Sequence, residues 1–229
     1  RHGAVVGIAA LVDALHERVS AENQNAVRTL VPNLEKARAY RGRGGEVVRQ
    51  AACSLLAKIA AATSWPFKDA TCARYVQTIN ECAQHTTDAI QVAAADALRA
   101  IARLRFTPEL SSKCIDAYIA GLRKPDETIA ARRGHALCLG FLPPAALGER
   151  REEILEALCR EVRGSDLPGG KAQEDPQTRQ YAVLSLGRLC CGAPISGEGS
   201  LDAVVDTLEA AVHDYTVDRR GDVGSWVRE

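Results

Sequence analysis

The sequence lacks methionine altogether and is poor in aromatic residues, which make up 4% of its 229 residues. It also lacks an excess of either charge, since 29 basic side chains balance 29 acidic ones. Nucleic-acid-binding and anionic-membrane-binding proteins usually carry a clustered basic excess, so we expect neither kind of partner. Every apolar run is shorter than the roughly 18–20 residues that a membrane-spanning helix needs. No secretory signal is visible, and both chain ends fall within helical patterns, so we expect a segment of a longer protein.

Motifs that carry catalysis or bind cofactors are also missing from the sequence. None of the five histidines lies in a recognisable nucleophile motif, and there is no HExxH, EF-hand or P-loop pattern. The stretch "RGRGG" at residues 41–45 precedes a helical pattern but lacks the Lys and Ser/Thr of a P-loop. We therefore predict no catalytic residue, no cofactor and no enzymatic activity.

The eight cysteines form no CxxC pair, so the common zinc and thioredoxin patterns are absent. Most of them lie among Ala, Leu and Val in helical runs. Such cysteines behave as small buried hydrophobes, and their number without paired spacing favours a reducing compartment. We predict buried, reduced thiols without metal at all eight positions: Cys53, Cys72, Cys82, Cys114, Cys138, Cys159, Cys190 and Cys191.

An apolar stripe with helical periodicity recurs along the whole chain. In "VVRQAACSLLAKIA", for example, Val48, Ala52, Leu56 and Ile59 fall on one face of a helix. Five such stripes recur along the chain, at residues 4–11, 52–59, 94–101, 135–142 and 182–189. A polar residue, here called the marker, lies three residues before the first residue of each stripe. The markers are Arg1, Arg49, Gln91, Arg132 and Arg179, with Arg228 in place to begin another repeat. Their spacing is close to the period of HEAT and armadillo repeats.

Partner helices are predicted between these stripes, at about 26–39, 70–84, 108–122, 149–162 and 201–213. Gly/Pro-rich breakers such as "SWP", "KPD", "LPP", "GSDLPGG" and "GAPISGEGS" separate many of the helices. The pattern predicts an all-α, HEAT/armadillo-like α-solenoid of about five antiparallel helix pairs that covers residues 1–229 as one segment.

Two Asp–Arg spacings suggest a turn ladder of the kind found in HEAT repeats. Asp126 precedes Arg132, and Asp222 precedes Arg228, by the same interval. We expect each Asp to cap the following helix and each Arg to bind an Asp of a neighbouring repeat. His135 takes the position that is Ala in the other stripes, and we expect it to be partly buried and hydrogen-bonded.

Four stretches resemble the tubulin-folding cofactor D family. The most specific is "DYTVDRRGDVGSWVR" at 214–228; the others are "RHGAV" at 1–5, "YRGRGGEVVRQAACSLLAKI" at 40–59 and "LRKPDETIAARRGHALCLGFLP" at 122–143. They keep the order of the family and span nearly the whole chain. Lys124 departs from the family, which tends to have Asn there, and residues 164–178 have no clear match.

The resemblance implies a function that periodicity alone does not give. The family consists of large HEAT-repeat chaperones that bind β-tubulin and, with tubulin-folding cofactors C and E, assemble or take apart the α/β-tubulin heterodimer. Its members also bind a small Arf-like GTPase, and the assembly stimulates GTP hydrolysis by tubulin. A cytoplasmic location with cytoskeletal association is implied as well.

Tubulin is acidic in character, so clustered arginines and an apparently unpacked Trp are the expected contacts. They are Arg41, Arg43, Arg132, Arg133, Arg219, Arg220 and Trp226. Two alternatives remain open. One is a generic HEAT-repeat scaffold whose partners are unrelated to tubulin. The other is a HEAT-like DNA glycosylase, which the zero net charge and scarcity of aromatics disfavour.

Overall fold

The computed structural model describes residues 1–164, 175–192 and 198–229, with the side chain of residue 198 excluded. Within them the chain is predominantly helical with almost no strand, and the predicted all-α, solenoid-class fold is confirmed. The longer helices are α1 His2–Leu15, α2 Ala21–Lys36, α3 Gly45–Ala61, α4 Asp69–Ala83, α5 Asp88–Arg105, α6 Pro108–Arg123, α7 Ile129–Phe141, α9 Arg151–Arg163, α10 Pro176–Gly192 and α11 Glu198–Val212. Two short ones are α8 Pro144–Leu147 and α12 Ser225–Arg228.

The helices form two compact units, residues Arg1–Thr107 and Pro108–Glu229. In the first unit, α3 packs against both α1 and α5, and α4 packs against α5. In the second unit, α10 packs against α7 and α9, and α9 also packs against α11. Helices one repeat apart are thus neighbours inside each unit, as the repeat pattern predicts. That all 229 residues form a single segment stays a prediction.

Polar caps explain several helix starts. The Ser20 hydroxyl accepts a hydrogen bond from the backbone N–H of Asn23, so α2 begins earlier than the sequence pattern suggests. The Thr128 hydroxyl accepts from Ala131 N–H at 3.2 Å at the start of α7. At the start of α10, the Asp175 carboxylate accepts from Thr178 N–H at 2.8 Å, and Pro176 follows as the first helical residue.

Four of the five predicted stripes are buried, from Ala52 to Ile59, Ala94 to Ile101, His135 to Leu142 and Ala182 to Leu189. The first stripe is wrong. Leu11 is 57% exposed, whereas Val5, Ala9 and Val12 are buried. The reason is that α1 packs against α3 with the face one residue further along the helix.

Burial of the cysteine side chains is confirmed for six of the eight residues. Cys190 is half-buried and Cys191 is exposed, since adjacent helical residues point about 100° apart. His135 is buried, at 7% exposure, as expected, but within the described part of the chain its side chain has no hydrogen-bond partner, so the expected hydrogen bond is wrong. Most of "GSDLPGG" and "GAPISGEGS", and residues 165–174 of the unmatched stretch 164–178, lie outside the described residues.

A short antiparallel hairpin near the C-terminal end was not predicted. It pairs β1 Val217–Asp218 with β2 Gly221–Asp222. In the part of the chain that the structure describes, no helix is both long enough and apolar enough to cross a bilayer.

Candidate protein-binding surfaces

Four cations are exposed on residues 36–44, a segment that we call the basic loop. It runs from the last residue of α2 to the residue before α3, and its cations are Lys36, Arg38, Arg41 and Arg43. Arg41 and Arg43 were predicted as partner contacts, and the structure exposes both. Neither has an ion pair or side-chain hydrogen bond among the described residues. Both guanidinium groups are therefore available to carboxylates of another molecule, which Arg can bind with two parallel hydrogen bonds.

Tight turns hold the backbone of the basic loop. Arg41 N–H donates to Arg38 C=O at 3.0 Å, and Gly45 N–H donates to Gly42 C=O at 3.1 Å. Gly42 and Gly44 have φ values of 83° and 82°, which a residue with a side chain rarely adopts. A Cβ atom at position 45 would lie 2.0 Å from the carbonyl oxygen of Tyr40, so only glycine fits there. The glycines of "RGRGG" thus set the path on which the arginines are presented.

Tyr40 anchors the basic loop to α3. The Arg49 guanidinium lies 4.8 Å from the centroid of the Tyr40 ring, in cation–π geometry. Burial of the Tyr40 phenol raises its pKa well above the ordinary value. Arg49 therefore binds the basic loop through Tyr40, whereas the four cations of the loop itself stay exposed.

Arg132 does not belong to a partner surface, which corrects the sequence prediction. Its side chain is 1% exposed and lies 3.2 Å from the Glu161 carboxylate. It also donates to the backbone carbonyls of Leu122 at 2.7 Å and Lys124 at 2.6 Å. Burial raises the pKa of Glu161, although the Arg132 charge acts in the opposite direction. Arg132 therefore joins α6, α7 and α9 from within.

Arg133 is also bound within the chain. Its Nε and a terminal nitrogen each donate to one Asp175 oxygen at 2.7 Å, and its side chain is 16% exposed. Burial alone would raise the pKa of Asp175, but the hydrogen bonds from Arg133 and Thr178 outweigh it and lower that pKa. Because Asp175 also caps α10, Arg133 holds α7 to the start of α10 and leaves the set of partner contacts.

The predicted ladder does not form as expected: Arg132 binds a Glu of another helix, and Arg228 binds an Asp of its own turn. Asp126 is wrong as a helix cap, because its side chain is 81% exposed, 3.9 Å from Lys124, and Thr128 caps α7 instead. Asp222 accepts from Ser225 N–H, the first residue of α12, at 3.2 Å, but Gly224 holds the cap position, so its predicted role is met only in part. Arg228 binds Asp222 of its own turn at 2.6 Å, where we expected an Asp of another repeat. That hydrogen bond lowers the pKa of Asp222.

The segment 214–228, here called the hairpin segment, uses most of its charges internally. Its three aspartates are each paired with an arginine: Asp214 with Arg179 at 2.9 Å, Asp218 with Arg220 at 2.6 Å, and Asp222 with Arg228 at 2.6 Å. The first pair ties the segment to α10. The other two fold the segment on itself.

Two glycines of the hairpin segment are required by its backbone. Gly221 has φ of 106°, in the region that favours glycine. At position 224 a Cβ atom would lie 2.2 Å from the carbonyl oxygen of Asp214, and Gly224 N–H donates to Thr216 C=O at 2.9 Å. Apart from Arg219, the Asp, Arg and Gly content of "DYTVDRRGDVGSWVR" thus has a structural explanation.

The three predicted contacts in this segment differ in accessibility. Arg219 is exposed at the hairpin turn. Arg220 is exposed too, but it is paired with Asp218 and its guanidinium lies 5.2 Å from the centroid of the Trp226 ring. Trp226 is half-buried, so the expectation of an unpacked Trp is wrong. Only Arg219 here resembles Arg41 and Arg43 in its freedom to bind a partner.

Sequence reasoning missed Lys36 and Arg38 as members of the basic loop. Their closeness to Arg41 along the chain was the available signal, but helix α2 was expected to continue to residue 39 and it ends at Lys36.

Among the described residues, no group of three or more His, Cys, Asp and Glu side chains could hold a metal ion. In comparisons with known proteins, no family model matches this sequence, and no solved structure matches this chain.

Proposed function

We propose that this chain is a non-enzymatic, protein-binding part of a tubulin-folding chaperone. It binds β-tubulin and helps to assemble or take apart the α/β-tubulin heterodimer, together with tubulin-folding cofactors C and E and a small Arf-like GTPase. GTP is hydrolysed by the partners, and the chain contributes only contacts. The location that goes with this role is cytoplasmic, beside the cytoskeleton.

One observation supports binding to an acidic protein most directly: Arg41 and Arg43 are exposed on a loop that two turn hydrogen bonds hold, along a path that three glycines permit. A fixed loop loses little conformational freedom on binding, so more of the interaction energy appears as affinity. Clustered cations also accelerate encounter with an acidic surface. The choice of tubulin among acidic proteins rests on the sequence resemblance.

The test is binding of purified α/β-tubulin heterodimer to the chain, measured by biolayer interferometry. The double variant Arg41→Glu/Arg43→Glu should weaken binding at least tenfold, because two attractive charges become repulsive. A matched control is Arg99→Glu/Arg103→Glu, which makes the same charge change on the exposed face of α5. The control should stay within twofold of the unchanged chain.

Equal losses in both double variants would mean that net charge, and not the basic loop, governs binding. Absence of tubulin binding by the unchanged chain would contradict the tubulin proposal. A helical-repeat scaffold for an unrelated partner is then the second candidate. One observation favours it: the Asp and Arg residues of the hairpin segment, on which the resemblance depends most, are largely paired within the fold.

A further inference from the structure

Helix α11 carries an exposed apolar stripe on its flank, about 100° around the helix from the residues that it buries. Its buried residues include Val204, Thr207 and Ala211, and the helix packs against α9. The α11 stripe consists of Leu201, Val205 and Val212, which are 46%, 52% and 58% exposed. At about 100° per residue these three side chains lie within about 40° of one another around the helix. Contiguous exposed apolar surface is one of the features of interaction sites on folded proteins.

A row of acids runs along the same helix beside the α11 stripe. This acidic row consists of Asp202, Asp206 and Glu209, all exposed. None of the three has an ion pair among the described residues. Helix α11 itself contains no Lys or Arg. The acidic row therefore receives no compensation from its own helix.

Electrostatics on the isolated helix are unfavourable. Asp202 and Asp206 are four residues apart, and Asp206 and Glu209 are three apart, so like charges are neighbours on the helix surface. Each such pair of like charges destabilises the helix. A partner that places cations along the acidic row would remove this repulsion. A partner that also buries the α11 stripe would gain the hydrophobic contribution.

We propose that the outer face of α11 binds an amphipathic helix of a partner protein, one whose apolar row is flanked by Lys or Arg. The anchors at positions i, i+4 and i+11 of α11 match the periodicity with which one helix reads another. Charge complementarity sets the sign of the partner, because the acidic row repels an acidic helix and an anionic membrane alike. This surface is independent of the basic loop and of the tubulin proposal.

Two synthetic 18-residue helices test the proposal by fluorescence anisotropy. Both carry leucines at helical spacing; one has lysines and the other glutamates at the remaining positions. The Leu–Lys helix should bind the chain at least tenfold more tightly than the Leu–Glu helix. Val205→Ser should weaken Leu–Lys binding at least fivefold, since it removes apolar area and leaves the charges unchanged.

Charge reversal distinguishes this surface from net charge. The triple variant Asp202→Lys/Asp206→Lys/Glu209→Lys should invert the preference in favour of the Leu–Glu helix. A control triple variant changes exposed acids elsewhere by the same amount: Glu17→Lys/Asp96→Lys/Asp126→Lys. It should keep the original preference, and circular dichroism should show that both triple variants are as helical as the unchanged chain.

Three results would overturn the proposal. The first is equal affinity of the unchanged chain for both helices, or binding of neither. The second is a preference that the control triple variant shifts as far as the α11 variant does. The third is dimerisation of the chain that Val205→Ser abolishes in sedimentation experiments, because the α11 stripe would then belong to a second copy.

Discussion

At the level of single residues, two arginines that look like surface charges in the sequence are buried or half-buried in the fold and bind carboxylates of the same chain. Arg132 and Arg133 are adjacent in the sequence and were both predicted as contacts for an acidic partner. Both instead bind carboxylates that come from distant parts of the same unit, Glu161 and Asp175. A helical pattern reveals which face is apolar, but it does not reveal which distant carboxylate lies opposite a buried Arg.

The buried Arg132–Glu161 pair should be sensitive to removal of one partner. Arg132→Met leaves the Glu161 carboxylate buried without its counter-charge, and we expect it to lower the free energy of unfolding by about 3–5 kcal/mol. The double variant Arg132→Met/Glu161→Met should recover part of that loss, because no isolated charge remains. Urea denaturation measures both. A neutral effect of Arg132→Met would show that the pair is not a structural tie.

His135 should make stability depend on pH. Burial lowers the pKa of its imidazole; the nearby Glu127 charge acts to raise it and Arg132 to lower it. A folded-state pKa below the ordinary value of about 6.5 means that the unfolded chain takes up the proton first as pH falls. Stability is therefore present in full above about pH 6.5 and decreases as pH falls from there toward the lower folded-state pKa.

The check is chemical denaturation at pH 7.5 and pH 5.5 for the unchanged chain and for His135→Gln. The unchanged chain should lose more stability than the variant over this interval, since Gln does not titrate. The His135 ring is buried against Gly121, where a Cβ atom would lie 2.3 Å from the imidazole Cδ2. The same pH dependence in both proteins would rule out His135 as the group responsible.

At the scale of single elements, helices were predictable and the hairpin was not. The helical spacing of Ala, Leu and Ile can be recognised without knowing which helices pack together. The predicted partner helices all form, with ends that lie within about five residues of the predicted ones. Val217–Asp218 and Gly221–Asp222 are too short to show an alternating pattern. Their pairing depends on Asp–Arg contacts and on the φ of Gly221, neither of which is visible as periodicity.

Glycine substitutions separate the hairpin segment from the helices. Gly224→Ala should destabilise the segment by about 1–3 kcal/mol, because its Cβ atom would overlap the Asp214 carbonyl and the backbone would have to move. Amide exchange of residues 214–228 should then accelerate. Gly187→Ala, inside α10 with open space around the new Cβ atom, should instead stabilise by about 0.5–1 kcal/mol.

An unchanged exchange rate across 214–228 in Gly224→Ala would contradict the close approach on which the segment depends.

The first helical stripe shows that the sequence can predict a helix and still not predict which of its faces is buried. Both Ala4, Ile8, Leu11 and Val5, Ala9, Val12 are apolar rows on α1, and only the position of α3 decides that the second row is buried.

For the whole molecule, the repeat period predicted the fold class, because each helix pair needs a neighbour of the same kind to cover its apolar face. Surface function was less predictable. Of the seven predicted partner contacts, the fold leaves Arg41, Arg43 and Arg219 exposed without internal pairing among the described residues. Arg132 and Arg133 bind carboxylates distant in the sequence, which a single sequence does not specify. Arg220 and Trp226 are taken up by contacts within the hairpin segment.

Hydrogen–deuterium exchange of the chain, with and without saturating α/β-tubulin heterodimer, tests the central claim most directly. A contact through the basic loop should slow exchange in peptides that cover residues 36–45. The turn at residues 62–68, between α3 and α4, serves as an internal reference and should not change. No protection anywhere, or protection that excludes residues 36–45, would contradict the claim that this chain binds an acidic protein partner through its exposed arginines.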